Sequence, residues 1–269
     1  MKFNLFDYSS KYRANKSRFS SKSLFGYTIW GILITSLLPN LAIAKETFST
    51  PTTQFKVTFD PPAKDMPRSS VGGASRTIGQ CLNTTNDSAR SFSALLPTSS
   101  PALTAASHPT ILAYLPKTSA QNVFFSWHGE DNQDHYQTIL PLEQKAGIVS
   151  LNLPKNAPPL EVGKSYQWAV GIMCDGRLQP DSPMIQGQVK RVELASTVQN
   201  SLDDDISLKN AALYGENGLW YETAATLAEL IAAEPNNKNF TSNWQELLNS
   251  VGLNKVADAP INISSSDDR

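Results

Sequence analysis

The sequence predicts a mainly β protein with an α-helical C-terminal part, and three observations lead to this fold class. Short strand candidates follow one another between residues 91 and 194 without an intervening helical pattern, which favours a β-sandwich. The stretch 158–175 combines a turn, a strand and one of only two cysteines. After Val192, apolar residues recur at intervals of three and four, which is typical of amphipathic helices.

The strand candidates are short segments separated by turn residues. Prolines lie mainly at the joints between them, where a missing backbone donor does little harm. The candidates are residues 92–96, 110–115, 122–128, 135–142, 147–153, 164–174 and 183–194. This pattern identifies the strands and leaves their order in the sheets open.

Alternate residues of the candidate 164–174 are predicted to face the core. That face carries Tyr166, Trp168, Val170, Ile172 and Cys174. Just before this strand, the spacing of Leu160, Gly163 and Tyr166 resembles the tyrosine corner of immunoglobulin-like and fibronectin-type sandwiches, in which the Tyr hydroxyl bonds to the preceding loop's backbone. We therefore predict an immunoglobulin- or fibronectin-like β-sandwich over residues 81–196.

The helical pattern predicts a C-terminal unit over residues 203–253. Its first helix is expected at 206–216, after three aspartates that suit a helix N-terminus, and its second at 219–233. The third is expected to begin at Ser242, because this residue and the Gln three positions later fit a capping box. Residues 254–269 are predicted to form a disordered tail.

One apolar stripe runs along the second and third predicted helices. It carries Trp220, Leu227, Ile231 and Trp244. The spacing from Ala211 to Pro235 resembles one tetratricopeptide repeat, with Thr223 where that family usually has Ala. A single repeat cannot bury its own apolar face. The stripe is therefore predicted either to pack in the core or to form an interaction groove for a partner.

Residues 1–44 have the order of a secretory signal peptide. Six basic residues and one acidic residue come first, an uncharged stretch follows at 24–38, and Ala42-Ile43-Ala44 ends the segment. We expect cleavage after Ala44. The alternative is an uncleaved anchor, although the uncharged stretch falls short of the roughly 20 residues of a spanning helix. The product is expected in the periplasm, the cell envelope or the extracellular space.

Cleavage would leave 17 basic against 23 acidic residues, because the segment holds six of the 23 basic and one of the 24 acidic residues. An acidic chain argues against nucleic acid as the partner. No later stretch of the sequence is long and apolar enough to span a bilayer, so a soluble product without an integral membrane segment is expected.

Cys81 and Cys174 are the only cysteines, and both follow the predicted signal peptide. In an oxidising compartment an even number of cysteines favours a disulfide, and the alternative is two separate thiols. Closing a loop of this length contributes about 4 kcal/mol in the chain-entropy model. Structural zinc usually has four ligands, so two cysteines alone do not indicate a metal site.

Two polar stretches carry no defined site motif. Residues 45–80 are rich in Pro, Ser and Thr and are predicted to form a flexible leader, with a short strand at 54–59 where apolar and polar residues alternate.

His128 and His135 flank a loop of carboxylates and amides. Because this loop fits a polar hairpin better than any metal-ligand spacing, we predict that the two histidines do not bind a metal.

Several short motifs resemble a known family when they are taken as a set. They are Val71-Gly72-Gly73, Cys81, Ala94-Leu95-Leu96-Pro97, His108-Pro109-Thr110, Gly147-Ile148-Val149-Ser150-Leu151, Pro158-Pro159-Leu160-Glu161-Val162-Gly163-Lys164, Cys174-Asp175, Ala211-Ala212-Leu213-Tyr214, Gly218-Leu219-Trp220-Tyr221 and Ser250-Val251-Gly252-Leu253. The chain resembles the cyanobacterial family called domain of unknown function 928. This resemblance implies an exported protein and supplies no activity, cofactor or catalytic residue.

The first functional hypothesis is a non-enzymatic binding or adaptor module that docks another protein of the cell envelope. The alternative is an envelope hydrolase that acts through two close carboxylates in a groove. A third is carbohydrate recognition by exposed aromatics such as Trp127 or Tyr136. No sequence motif selects a catalytic, cofactor-binding or metal-ligating residue, since neither a G-x-S-x-G elbow nor a ligand spacing occurs.

Overall fold

The computed structural model describes residues 55–62, 81–83, 91–98, 102–130 and 135–263. The predicted signal peptide and loop residues 131–134 lie outside them. The strands are β1 (Leu82–Asn83), β2 (Ser93–Ala94), β3 (Leu103–Thr104), β4 (Ile111–Leu115), β5 (Lys117–Thr118), β6 (Asn122–Gly129), β7 (His135–Pro141), β8 (Gly147–Leu151), β9 (Ser165–Ile172), β10 (Met184–Arg191) and β11 (Ile261–Asn262). The helices are α1 (Ser196–Gln199), α2 (Leu208–Glu216), α3 (Trp220–Ala233) and α4 (Lys238–Ser250), with 3-10 turns at Cys174–Gly176 and Asn254–Val256. The chain is therefore mostly β, with helices in its C-terminal part.

The larger sheet has the strand order β3-β10-β9-β6-β7. Strand β3 runs parallel to β10, and the other neighbours are antiparallel. The inner face of β9 buries Tyr166, Trp168, Val170 and Ile172, as the alternation predicts. Phe125 and Trp127 of β6 lie in register with Val170 and Trp168 on the same face. Aromatic and branched side chains thus fill one side of this sheet.

The second sheet has the order β11-β8-β4-β2. All five residues of β4 are buried, which is typical of a strand that is covered on both faces. Helix α3 lies against β3, β4 and β11. Buried side chains of both sheets and of the helices form a single hydrophobic cluster. The helices therefore complete the core that the sheets begin.

The first turn of α3 is tied to both sheets by indole and phenol groups. The indole Nε1 of Trp220 donates to the carbonyl of Leu95 at 2.7 Å. The indole Nε1 of Trp168 donates to the hydroxyl of Tyr221 at 2.8 Å, and this hydroxyl donates to the carbonyl of Gln188 at 3.0 Å. Since each of these groups has a partner, the junction buries its polar atoms at little cost.

The disulfide between Cys81 and Cys174 is present, with a Cα–Cα distance of 5.6 Å, so this prediction is confirmed. At the start of β9, the backbone N–H of Glu161 donates to the hydroxyl of Tyr166 at 3.0 Å. Gly163 adopts a φ of +87°, a left-handed conformation that favours glycine. A Tyr hydroxyl bonded to the preceding loop is the contact that defines a tyrosine corner.

The helix boundaries differ from two predictions. Helix α4 begins at Lys238, because the side chain of Asn237 accepts a hydrogen bond from the N–H of Asn239 at 3.0 Å and so caps the helix. Ser242 therefore lies inside the helix, and the predicted capping box is wrong. Helix α2 begins after Ser207, whose side chain accepts from the N–H of Asn210 at 3.1 Å.

Part of the predicted flexible leader is packed in the structure. Residues 55–62 have no regular secondary structure, so the strand expected at 54–59 does not form over its described residues. Val57 is 1% exposed, and its N–H donates to the side chain of Asn243 at 2.7 Å. The ring of Phe59 meets the edge of Trp220 at a centroid distance of 5.1 Å. These contacts fix residues 55–62 against the helices.

Part of the predicted disordered tail is also ordered. Ile261 and Asn262 pair in parallel with Ile148 and Val149 of β8. The N–H of Ile148 donates to the carbonyl of Pro260 at 2.8 Å. The prediction of a tail from 254 is therefore wrong over 254–263, because this segment adds a strand to the second sheet. Residues 264–269 lie outside the described residues.

Candidate binding groove

A groove with a volume of about 540 Å³ lies between the end of α3, the first half of α4 and residues 257–263. Its apolar walls include Ile231, Pro235, Trp244 and Ile261. Pro235 follows the end of α3, where proline ends a helix, and the chain then turns into α4. The groove is therefore built by a helix hairpin on one side and a terminal strand on the other.

Strand β11 forms one wall of the groove and is the outermost strand of its sheet. Four consecutive residues, 260–263, line the groove. Outermost strands present backbone N–H and C=O groups that a further strand can pair with. The groove thus combines apolar side chains with the edge of a sheet.

Trp244 lines the groove and carries a buried donor without an acceptor among the described residues. Its side chain is 2% exposed, and its Nε1 atom is buried without an acceptor among the described residues. The corresponding atoms of Trp168 and Trp220 both have acceptors. Leaving a buried donor unpaired costs about 1–3 kcal/mol.

The charged residues of the groove are one cation and one anion. Lys145 is mostly exposed and pairs with Glu143 at 3.3 Å, and Asp258 lies on the C-terminal wall. Asn262 donates from its side chain to the carbonyl of Ala146 at 2.8 Å, which holds the loop before β8 beside β11. The groove therefore has no excess of either charge, and its walls carry polar as well as apolar side chains.

Glu222 has an unusual environment on the first turn of α3. Its Oε1 accepts hydrogen bonds from the hydroxyl of Thr104 at 2.6 Å and from the N–H groups of Ala105 and Ala106 at 2.9 and 3.0 Å. Its Oε2 is buried and has no partner in the described part of the chain. Burial therefore raises the pKa of this carboxyl group, while the hydrogen bonds oppose that shift.

The contacts of this carboxyl group join two elements of the fold. It holds the turn after β3 against α3, and the guanidinium of Arg191 donates to the carbonyls of Ala105 and Leu160 from the other side. Burial also raises the pKa of Tyr221, next to Glu222, far above its usual value. These groups fasten the helix to the edge of the larger sheet.

The outer face of the larger sheet is the second exposed feature. Register places Ile139, Phe124, Gly171 and Met184 in one row across four strands. The next two rows are Gln137, Ser126, Ala169 and Gln186, followed by His135, His128, Gln167 and Gln188. These three rows contain no Asp, Glu, Lys or Arg, although the chain as a whole is 17% charged. We call this set of twelve residues the uncharged face.

The predicted stripe divides between two environments. Trp220 and Leu227 are buried in the core and lie outside the groove. Ile231 and Trp244 are also buried, and they line the groove as well. The residues of β11 were missed, because they lay in the segment that was predicted to be disordered. The signal that could have found them is the alternation of Ile261, Asn262 and Ile263.

The other predicted site residues lie on the larger sheet. Trp127 is 5% exposed on the inner face and packs edge to face on Tyr166 at 4.9 Å, so it is not an exposed aromatic for sugar binding. His128 and His135 are cross-strand neighbours on the uncharged face. Among the described residues, no group of three or more His, Cys, Asp or Glu side chains is arranged to hold a metal ion.

Comparison with known proteins identifies the family. The model of the family Domain of Unknown Function (DUF928) matches residues 71–261. The chain belongs to this family. Among solved structures, the chain is similar to the fn3 domain of the human collagen alpha-1(XX) chain, with 17% identity over 34% of this chain and 76% of that chain and a TM-score of 0.23. No curated protein sequence matches this member of the family. Within the described residues, no helix has both the length and the apolar composition to cross a membrane.

Proposed function

We propose that this DUF928 protein is an exported, non-enzymatic binding or adaptor module of the cell envelope that holds a partner in the groove. The observation that carries the proposal is the unpaired Nε1 of Trp244, which is buried at a groove of about 540 Å³. A buried donor without an acceptor is costly in a free protein and useful in a complex. The proposal is that the partner supplies the missing acceptor.

Export is supported by the first 44 residues and by the disulfide. The basic, apolar and small-residue order of this segment is that of a signal peptide. The disulfide between Cys81 and Cys174 suits an oxidising compartment outside the cytoplasm. N-terminal sequencing of the purified protein tests this part of the proposal. A product that begins near Lys45 supports it, and an intact Met1 on a cytoplasmic product contradicts it.

We also propose a finer fold assignment for the two parts of the chain. The Glu161–Tyr166 hydrogen bond and the two sheets support an immunoglobulin- or fibronectin-like sandwich. Helices α2 and α3, joined through Gly218 at a φ of +71°, support a tetratricopeptide-like hairpin. An experimental structure tests both assignments. Sheets that do not face each other, or helices that do not form a hairpin, would contradict them.

The experiment for the binding function compares two substitutions in the protein spanning residues 45–269. Ile263→Glu places a charge at the groove, and Ile206→Glu places the same charge at a residue that is 45% exposed and does not line the groove. Tagged proteins are crosslinked in the envelope fraction, and captured proteins are identified by mass spectrometry. We expect Ile263→Glu to lose a partner that Ile206→Glu retains. Equal capture by both variants would contradict the groove as the binding site.

The uncharged face supports a second candidate function, which is binding of a neutral carbohydrate. Its glutamine side chains offer amide donors and acceptors, and the row through Phe124 offers apolar contact, which is a combination that suits hydroxyl-rich rings. Affinity electrophoresis in gels with hydroxyethylcellulose tests this candidate, with alginate as the charged control. Gln167→Lys should abolish retardation if the face binds the neutral polymer. Retardation that Gln167→Lys leaves unchanged would exclude this face.

A further inference from the structure

The geometry points to an extended apolar peptide of a partner protein as the occupant of the groove, added as a further strand to the free edge of β11; this rests on the proposed binding function. Three features of the groove carry the inference. They are the direction of the β11 backbone groups, the unpaired donor of Trp244, and the composition of the chain that follows Ile263.

The backbone of β11 has groups that face away from β8. In the parallel ladder the N–H of Ile148 donates to Pro260, and Ile261 and Asn262 lie opposite Ile148 and Val149. A parallel strand directs the N–H and C=O of alternate residues to the same neighbour. Since Pro260 and Asn262 bond to β8, the N–H and C=O of Ile261 point to the open side. An extended peptide can accept and donate hydrogen bonds there.

The apolar walls of the groove favour a peptide with alternating apolar residues. Ile231, Pro235, Ile261 and Ile263 provide apolar walls, so every second side chain of a paired strand can be buried between them. The carbonyl groups of the same strand are acceptors. One of them can take the hydrogen bond that Nε1 of Trp244 lacks among the described residues. A peptide therefore satisfies the backbone edge, the apolar walls and the indole together.

The composition of the chain's own C-terminus disfavours it as the occupant. Residues 264–269 follow directly on the groove-lining Ile263, and their sequence is Ser-Ser-Ser-Asp-Asp-Arg. This sequence has no apolar side chain to place against the groove walls. A partner peptide with alternating apolar residues fits the walls better.

The experiment measures fluorescence anisotropy of labelled peptides with the protein spanning residues 45–269. The probe is a short peptide of alternating valine and threonine, and its control is the same peptide with N-methylated amides, which cannot pair as a strand. We expect the first to bind and the second not to bind. Equal binding of both peptides would overturn strand addition, and so would absence of binding by the valine-threonine peptide.

Two substitutions locate the binding while keeping an aromatic ring at each position. Trp244→Phe removes the unpaired Nε1, and we expect it to weaken probe binding by roughly fivefold. Trp127→Phe is the matched control, because it removes a second buried Nε1 that also lacks a partner but lies on the inner face of the larger sheet. It should leave binding unchanged. Equal weakening by both variants would overturn the assignment to the groove.

Ile261→Pro tests the backbone edge itself. Proline removes the outward N–H and leaves the bonds of Pro260 and Asn262 to β8, as proline does on outermost strands. We expect loss of probe binding by a protein that stays folded, with a melting temperature lowered by the loss of the Ile261 side chain from the core. Unchanged probe binding by Ile261→Pro would overturn pairing at β11.

Two further outcomes would assign the groove to another occupant. Tighter probe binding after deletion of residues 264–269 would identify the chain's own C-terminus. A dimer in light scattering that Ile263→Glu dissociates would identify a second copy. If envelope capture still depends on Ile263 while the peptide assays fail, the proposed function stands and the peptide inference falls.

Discussion

The two ends of helix α3 bury tryptophans in opposite ways. At its first turn, Trp220 is 1% exposed and its Nε1 has the carbonyl of Leu95 as acceptor. At the far end, Trp244 of α4 is 2% exposed and its Nε1 has no partner in the described structure. Equal burial thus accompanies different hydrogen bonding. The indole of Trp220 fixes the packing of the helix through its hydrogen bond. The indole of Trp244 keeps a hydrogen-bond donor that we propose a ligand accepts.

Replacing each indole by alanine has the largest expected effect and tests whether both ends belong to the core. We expect Trp220→Ala and Trp244→Ala each to reduce the free energy of unfolding by about 3–5 kcal/mol, the usual range for a buried large aromatic. Urea denaturation followed by circular dichroism measures the loss. A stable Trp220→Ala protein would contradict the burial of this side chain.

Replacing the same indoles by phenylalanine separates the two ends, because the ring is largely kept and the donor is lost. Trp220→Phe should cost about 1–3 kcal/mol, since it leaves the buried carbonyl of Leu95 without its donor. Trp244→Phe should cost clearly less, because no hydrogen bond to the described residues is broken. Parallel urea titrations give the difference. Equal losses would show that the unpaired donor is not what distinguishes Trp244.

A smaller effect concerns Glu222, beside the satisfied indole. Burial raises the pKa of its carboxyl group above the ordinary value of 4.5. The folded state therefore binds the proton more tightly than the unfolded state does, and stability falls as the pH rises from the unfolded pKa through the folded pKa. Glu222→Gln should flatten this dependence and change the stability at pH 7 by about 1 kcal/mol or less.

Melting curves at pH 4, 5.5 and 7 measure the dependence of stability on Glu222. The control is Glu246→Gln, since Glu246 is exposed and pairs with Lys56. Its pH profile should resemble that of the unchanged protein. A Glu222→Gln protein that is much less stable at pH 7 would show that the fold needs the carboxylate charge at the turn after β3.

The sequence predicted the features that local patterns encode. The alternation of Tyr166 with Trp168 identified a core face, and the count of two cysteines led to the disulfide. The sequence did not predict where β11 pairs, since this short strand is stabilised by β8, far away in the chain. It also missed Glu222, whose shifted pKa depends on burial and on donors from residues 104–106.

The sequence did not predict the groove, for a related physical reason. Its walls come from the end of α3, from α4 and from a strand whose sequence resembles a polar tail. The spacing of Ile231 and Trp244 indicated an apolar stripe, and it could not show which part of the stripe faces a groove. An unpaired Nε1 is likewise visible only when all neighbouring acceptors have been located.

Residues 55–62 pack on the helices although they lie outside the stretch that matches the family. The folded part of the chain is therefore longer than the family match. That match starts at residue 71, yet the close approach of Thr58 to α2 leaves no room for a side chain at Gly215. A chain cut at residue 71 would keep every strand and helix of the described residues and would lose residues 55–62. It would then uncover the ring of Trp220 that Phe59 contacts and remove the donor that Val57 offers to Asn243. The first residue of the family match is therefore a poor place to begin a recombinant form of this protein.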